Sequence, residues 1–178
     1  MLRLFAALPI PDDVAETLKR RQAGLPGAKW RGAEQLHVTL AFYGEVSERA
    51  ADDLASELAR ISGGPFEIAL KGVGAFGDAH RSHTIWAGLE KSEKLTVLAG
   101  RCAAAAQRAG VTVERREYRP HLTLAYLKPQ TNPDRIGAWI TGHNLLHSPP
   151  IRIDRFGLYS SVLAHDGSAY ALEREYLL

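Results

Sequence analysis

Two stretches of this chain, Leu36-His37-Val38-Thr39-Leu40-Ala41-Phe42-Tyr43 and Pro120-His121-Leu122-Thr123-Leu124-Ala125-Tyr126, run through one order of side chains: histidine, apolar, threonine, leucine, alanine, aromatic. Successive side chains of an extended strand point to opposite faces. His37 therefore shares a face with Thr39 and His121 with Thr123, while Val38, Leu40, Leu122 and Leu124 take the other. A chain with two such strands has two apolar faces to bury and two polar pairs to present. The pairs are expected to face one another across a groove and to work together on one substrate atom. The plainer alternative is two unrelated half-buried strands that each happen to carry His and Thr, and the tandem match weighs against it.

The remaining elements fall into place around these strands. Leu2 to Leu8 is a nearly all-apolar strand ended by Pro9 and Pro11, the pattern of a strand covered on both sides. Pro11-Asp12-Asp13 opens a helix, because proline suits a first turn and acids complement its positive end; Val14, Leu18 and Arg21 carry the inner stripe to about Ala23. After the first motif Gly44 is expected to break the strand. Ser47 caps a helix to about Ile61, with Ala50, Leu54, Leu58 and Ile61 inward. Phe66 to Val73 and Thr84 to Leu89 read as an antiparallel pair around a loop, Gly74 to Ser82. Ser92 caps a third helix with Leu95, Leu98, Cys102 and Ala106 inward, closed by Gly110. Val111 to Glu114 reads as a short strand and Asp134 to Ile140 as a short helix. Ile151 to Ser160 and Ala169 to Leu172 read as strands joined at an Asp166-Gly167 turn. Each half runs strand, helix, His-x-Thr strand, helix or loop, strand, which suggests an internal duplication folded as two lobes of one domain, 1-178.

Composition narrows the function. The 178 residues suffice for a sizeable core, and 46% apolar with 24% charged residues is the balance of a globular protein, not a disordered one. A formal net charge of +2 gives no global field toward nucleic acid or anionic membrane, so anion binding must come from a local cluster. The only cysteine, Cys102, excludes an internal disulfide and fits a reducing cytoplasm. Met1 to Leu8 has the single positive charge and short apolar run of a secretory leader, but Pro9 and Pro11 cut it short, and it is read as the first strand. No stretch approaches the ~18 apolar residues that span a bilayer.

Near neutral pH one imidazole can be neutral and its neighbour protonated. The neutral ring takes a proton from an attacking water or hydroxyl while the protonated ring supplies one to the departing oxygen, each contributing typically ~10² to 10⁴ in rate. Thr39 and Thr123 can hold non-bridging phosphate oxygens, where charge grows in the transition state. This chemistry needs no metal. Metal binding competes for the histidines, but Glu34, Glu45 and Glu117 share no spacing with them, and threonine is a poor zinc ligand. Cys102 reads as core, and Ser160-Ser161 lacks a glycine-elbow pattern for a nucleophile.

On these motifs the chain resembles the 2H phosphoesterase superfamily and, within it, the bacterial and archaeal RNA 2′,3′-cyclic phosphodiesterases once described as 2′-5′ RNA ligases. The likeness extends over Arg3-Leu4-Phe5-Ala6-Ala7-Leu8-Pro9, Lys29-Trp30, Gly44-Glu45-Val46, Gly74-Ala75-Phe76, Trp86-Ala87-Gly88, Arg119-Pro120 and Leu158-Tyr159-Ser160-Ser161 with Tyr170. It implies a bilobal, pseudo-symmetric α+β fold with two antiparallel sheets lining a central cleft and helices outside. It also implies hydrolysis of a 2′,3′-cyclic phosphate to a 2′-phosphomonoester, with His37 as acid, His121 as base, Thr39 and Thr123 gripping the phosphate, and no cofactor. The expected partners are RNA ends with a 2′,3′-cyclic phosphate or cyclic nucleotides, met by a cytoplasmic monomer with no membrane attachment. Two other readings remain beside hydrolysis: 2′-5′ joining of RNA ends at the same site, and a nucleotide-binding module without turnover.

Tyr126 departs from the resemblance, since many relatives carry Arg there in a Thr-Leu-Ala-Arg run; Arg119 is the residue expected to supply the missing charge. Phe76 reads as a nucleobase-stacking residue or a loop anchor. Lys29, Arg31, Arg115, Arg116 and Arg119 read individually as solvated surface charges that together can steer phosphate. His80, Arg81 and His83 are weaker candidates for touching the RNA end. His143, His147 and His165 read as loop histidines, and Trp30, Trp86 and Trp139 as packing.

Overall fold

A computed structural model describes residues 1–78, 81–113, 117–164 and 167–178. In them the chain runs β1 (Leu2–Pro9), α1 (Asp12–Lys19), β2 (Ala28–Trp30), a 3-10 turn (Ala33–Gln35), β3 (His37–Val46), α2 (Glu48–Leu58), β4 (Phe66–Ile68) and β5 (Leu70–Asp78). It continues with β6 (Arg81–Leu89), α3 (Glu93–Arg108), β7 (His121–Leu127), α4 (Pro133–His143), β8 (Ile151–Ile153), β9 (Arg155–Ala164) and β10 (Gly167–Leu177). Eight strands form one sheet in the order β10-β9-β1-β3-β7-β6-β5, with β2 paired to β7, and β4 pairs with β8 in a second, small sheet. The fold is α+β with two antiparallel sheets, one large and one small, and both motif strands sit at the centre of the large one.

One face of that sheet is apolar because the strands' inward residues are. Leu4, Ala6 and Leu8 of β1, Val38 and Leu40 of β3, and Leu122, Leu124 and Ala125 of β7 are buried in the core. Burying each large aliphatic side chain contributes ~1.5–3 kcal/mol before its entropy cost. α2 and α3 pack on one another and on β1 and β3, presenting Leu54, Leu58, Leu95, Leu98 and Cys102. Tyr43 Oη donates to the Cys102 carbonyl at 3.4 Å and so ties β3 to α3. Both serine caps form: Ser47 Oγ accepts from the Ala50 amide and Ser92 Oγ from the Leu95 amide, each worth ~1 kcal/mol.

Several local expectations change. α1 ends at Lys19 and α2 at Leu58, short of Ala23 and Ile61. Gly44 does not break β3 but lies inside it at φ +68°, a conformation glycine takes without Cβ strain. Residues 74–78, read as loop, belong to β5, and Gly74 serves there as a strand residue without a side chain. A Cβ on Gly74 would stand 2.4 Å from the Trp86 ring, so glycine lets that indole lie flat on the strand. Residues 111–113 are not a strand. Of the expected Asp166-Gly167 turn, Asp166 lies outside the described residues.

Candidate active site

The face of the sheet opposite the helices carries the polar pairs. β3 and β7 share one burial sequence from the histidine on: half-buried His, buried, half-buried Thr, buried, buried, exposed aromatic, buried. Strict alternation would turn Phe42 and Tyr126 toward the helices with Val38 and Leu122. Instead each strand has a bulge at the same place. Thr39 pairs with Ala7 and Ala41 with Ala6, while Trp86 pairs with Thr123 and Ile85 with Ala125, so Leu40 and Leu124 are the extra residues. Such an insertion reverses the phase of everything after it. Phe42 and Tyr126 thereby emerge on the histidine face, 41% and 45% exposed.

Val38 pairs with Leu122 in antiparallel register. Their polar neighbours therefore meet crosswise: His37 lies toward Thr123, and Thr39 toward His121. Each histidine is held by its own strand, His37 Nδ1 lying 2.8 Å from the Gln35 carbonyl and His121 Nδ1 2.7 Å from the Arg119 carbonyl. A carbonyl only accepts, so Nδ1 keeps the hydrogen in the neutral ring and Nε2 is the basic nitrogen. Tyr118 Oη donates to the Thr39 carbonyl at 3.0 Å, which fastens the approach to the second motif onto the first.

The two rings sit in unlike surroundings. His37 is enclosed by Phe5 at 4.9 Å and by the edge-on ring of Tyr170 at 5.2 Å, and Phe5 in turn stacks on Tyr159. Burial pushes its pKa down to about 4 against the upward pull of the Gln35 carbonyl, with smaller lowering from Arg31 and His121. His37 is therefore neutral at pH 7 in the free protein. His121 meets the edge of Phe76 at 4.7 Å, and Phe76 leans on Trp86. Phe76 is thus a strand residue that buttresses His121.

Arg31 departs from the surface-charge reading: it is 5% exposed. Its amide donates to the Leu124 carbonyl and its own carbonyl accepts from Gln22 Nε2, placing it directly beyond β2. Tyr126 is one of two rings that flank its guanidinium, the other being Tyr170. Arg119, by contrast, has an exposed guanidinium 3.3 Å from Glu117, and it is its carbonyl that reaches His121. Lys29 is exposed and pairs in register with Tyr126. His80, Arg115, Arg116 and His165 lie outside the described residues, as do the side chains of Arg81 and His83.

Sequence reasoning did not single out Phe5, Tyr159 or Tyr170 as site residues, and it gave Arg31 only as one of several charges that together can steer phosphate. An all-apolar β1 gives no phase from which Phe5 could be told apart, and the two tyrosines arrive from distant chain. Trp30 and Trp139 pack on one another at 5.6 Å. His143 stacks on Trp139, and His147 lies 3.1 Å from Glu90. The Cys102 thiol, pushed up to about 12 by burial, is no thiolate at neutral pH. Among the described residues no three His, Cys, Asp or Glu side chains converge on a point.

Comparison with known proteins identifies relatives of the chain. The profile of the 2′-5′ RNA ligase superfamily matches residues 10–163. The chain is 30% identical over 177 residues to an RNA 2′,3′-cyclic phosphodiesterase of Thermotoga maritima, covering 95% of this chain and 91% of that protein. It is 28% identical to another of that name from Archaeoglobus fulgidus, over 95% and 96% of the two chains. Among solved structures it is similar to E. coli LigT complexed with 3′-AMP, at TM-score 0.79 and 27% identity over 99% of this chain and 98% of that one. A crystal structure of a phosphoesterase superposes with TM-score 0.80 at 26% identity, covering 100% and 99%.

Proposed function

The chain belongs to the 2′-5′ RNA ligase superfamily, and from that premise we propose that it is an RNA 2′,3′-cyclic phosphodiesterase that opens the ring to a 2′-phosphomonoester by two-histidine acid-base catalysis. The observation that carries this reading is the crosswise pairing of the motifs, which sets two Nδ1-anchored histidines and two threonines on one face. Water attacks phosphorus. His121 Nε2 accepts the water's proton, and His37 Nε2 donates a proton to the 3′ oxygen as the phosphorus–oxygen bond breaks. Thr39 and Thr123 donate to the non-bridging oxygens, whose charge rises in the transition state.

The neutrality of His37 in the free protein bears on its role as acid. A substrate anion beside the ring favours imidazolium and opposes the burial that disfavours it. His37 is then loaded with its proton as the substrate binds. Phe76 and Tyr126 are suited to lie along the nucleoside, and Arg119 to hold charge at the rim. The protein is read as a cytoplasmic monomer. No helix among the described residues is long and apolar enough to cross a membrane.

Phosphorus NMR of a 2′,3′-cyclic nucleotide in chelator tests the reading. Conversion to the 2′ monoester is expected, with His37→Ala and His121→Ala each slowing it by ~10² to 10⁴. Unchanged turnover in both variants overturns the assignment, and tight binding without conversion favours a non-catalytic module. Joining of 2′-5′ RNA ends is the same ring opening with a 5′-hydroxyl attacking in place of water and the 3′ oxygen leaving, and the equilibrium between joined and cleaved ends measures its weight.

A further inference from the structure

Among the described residues Arg31 is the one charged side chain that the fold buries. Taking a guanidinium out of water is unfavourable unless an opposite charge compensates, and such cations are usually found on a carboxylate. No described carboxylate lies within ion-pair distance of Arg31. Its partners are neutral: Nη2 donates to Tyr170 Oη at 2.8 Å, and the rings of Tyr126 and Tyr170 each lie 5.3 Å from the guanidinium carbon. Cation–π contacts and one hydroxyl offset part of the desolvation, and they occupy a minority of the five N–H donors.

The position matters as much as the deficit. Arg31 is held by one backbone hydrogen bond to β7 on one side and by Tyr170 of β10 on the other. Tyr170 also forms the edge-on wall of His37, so one tyrosine touches both the cation and the imidazole. The fold thus keeps a fixed, undercompensated positive charge one side chain away from His37.

We infer that Arg31 is the residue that binds the substrate's anionic phosphate in the ground state, clamped for that purpose between Tyr126 and Tyr170. This rests on the phosphodiesterase reading for the identity of the substrate, but not for the binding of the anion. Tyr126 is then no gap in the site but one jaw of the clamp. Neutralising Arg31 with phosphate also removes a charge that disfavours protonated His37, so binding and loading of the acid are coupled. Lysine is a poor replacement, because a compact ammonium cannot stack on two rings and keep donors for an anion.

Inorganic phosphate is the probe, added in chelator at neutral pH while the Arg31 guanidinium and histidine ring signals are followed by NMR. In the unaltered protein the Arg31 signal is expected to shift on titration. Arg31→Met is expected to weaken phosphate binding by about tenfold to a hundredfold, the range of a lost charge-assisted hydrogen bond. The same variant should raise KM for a 2′,3′-cyclic nucleotide more than it lowers kcat, and Arg31→Lys should recover only part of the loss. An Arg31 signal that ignores phosphate overturns the inference without recourse to any variant, as does unchanged phosphate affinity in a folded Arg31→Met protein. Phosphate binding through Arg31 in a protein that leaves cyclic nucleotides intact would overturn the hydrolase reading and spare this one. Full hydrolysis with an unmoved Arg31 signal would do the opposite.

Discussion

Val38 pairs with Leu122 where β3 meets β7, and both side chains are fully buried on the helix side of the sheet. Through this contact the two motifs are fixed relative to one another, since the residues flanking each side chain are the histidine and threonine of its motif. Leu122→Ala is expected to cost ~2–5 kcal/mol in denaturant unfolding, the range for a fully buried leucine. It should also lower kcat/KM, although residue 122 faces away from the substrate. Loss of stability with kcat/KM intact would show that the register does not depend on this packing.

The dependence of activity on pH should differ between free and bound enzyme. kcat/KM reports the free protein and kcat the complex. With His37 held down to about 4 in the free protein, the loss of kcat/KM with rising pH begins low. The bound anion moves that loss to higher pH in kcat. Coincident descending limbs in the two profiles would count against His37 as the acid.

Stability itself carries the same group. The unfolded chain takes up a proton on His37 near its ordinary 6.5, whereas the folded protein resists until about 4. Protons therefore favour the unfolded state between these values. The contribution of a neutral His37 is complete above pH 6.5 and declines as pH falls toward 4. Thermal melts from pH 7 to 4.5 should show a shallower decline in His37→Asn than in the parent; equal slopes would contradict the assignment.

Gly74→Ala tests the support behind His121. The new methyl would meet the Trp86 ring at 2.4 Å, and Trp86 carries Phe76, whose ring carries His121. Overpacking of this kind costs ~1–3 kcal/mol. Activity should fall with it. An alanine variant with parental melting temperature and kcat would mean that the indole moves aside freely.

Local features were legible where the physics is local. Ser47 and Ser92 announced their helices because a side-chain oxygen three residues ahead of an amide is cap enough. Leu95, Leu98, Cys102 and Ala106 announced the buried face of α3 by spacing alone. Gly44 and Gly74 depart from the turn expectation for one reason. Glycine marks a turn in most sequences, but here it gives β3 a left-handed residue and β5 a bare patch for Trp86, needs set by neighbouring strands.

The sequence by itself determined the family, the two catalytic candidates of each motif and the face they share, because strand alternation and the His-x-Thr repeat are written residue by residue. Tertiary structure decided which aromatic residues join them. Bulges at Leu40 and Leu124 turn Phe42 and Tyr126 onto the histidine face, and a bulge is an agreement between paired strands that neither strand carries alone. It also decided the fate of Arg31, a surface charge by every local criterion. Its burial depends on a tyrosine 139 residues further along the chain, and only the assembled sheet brings those two together.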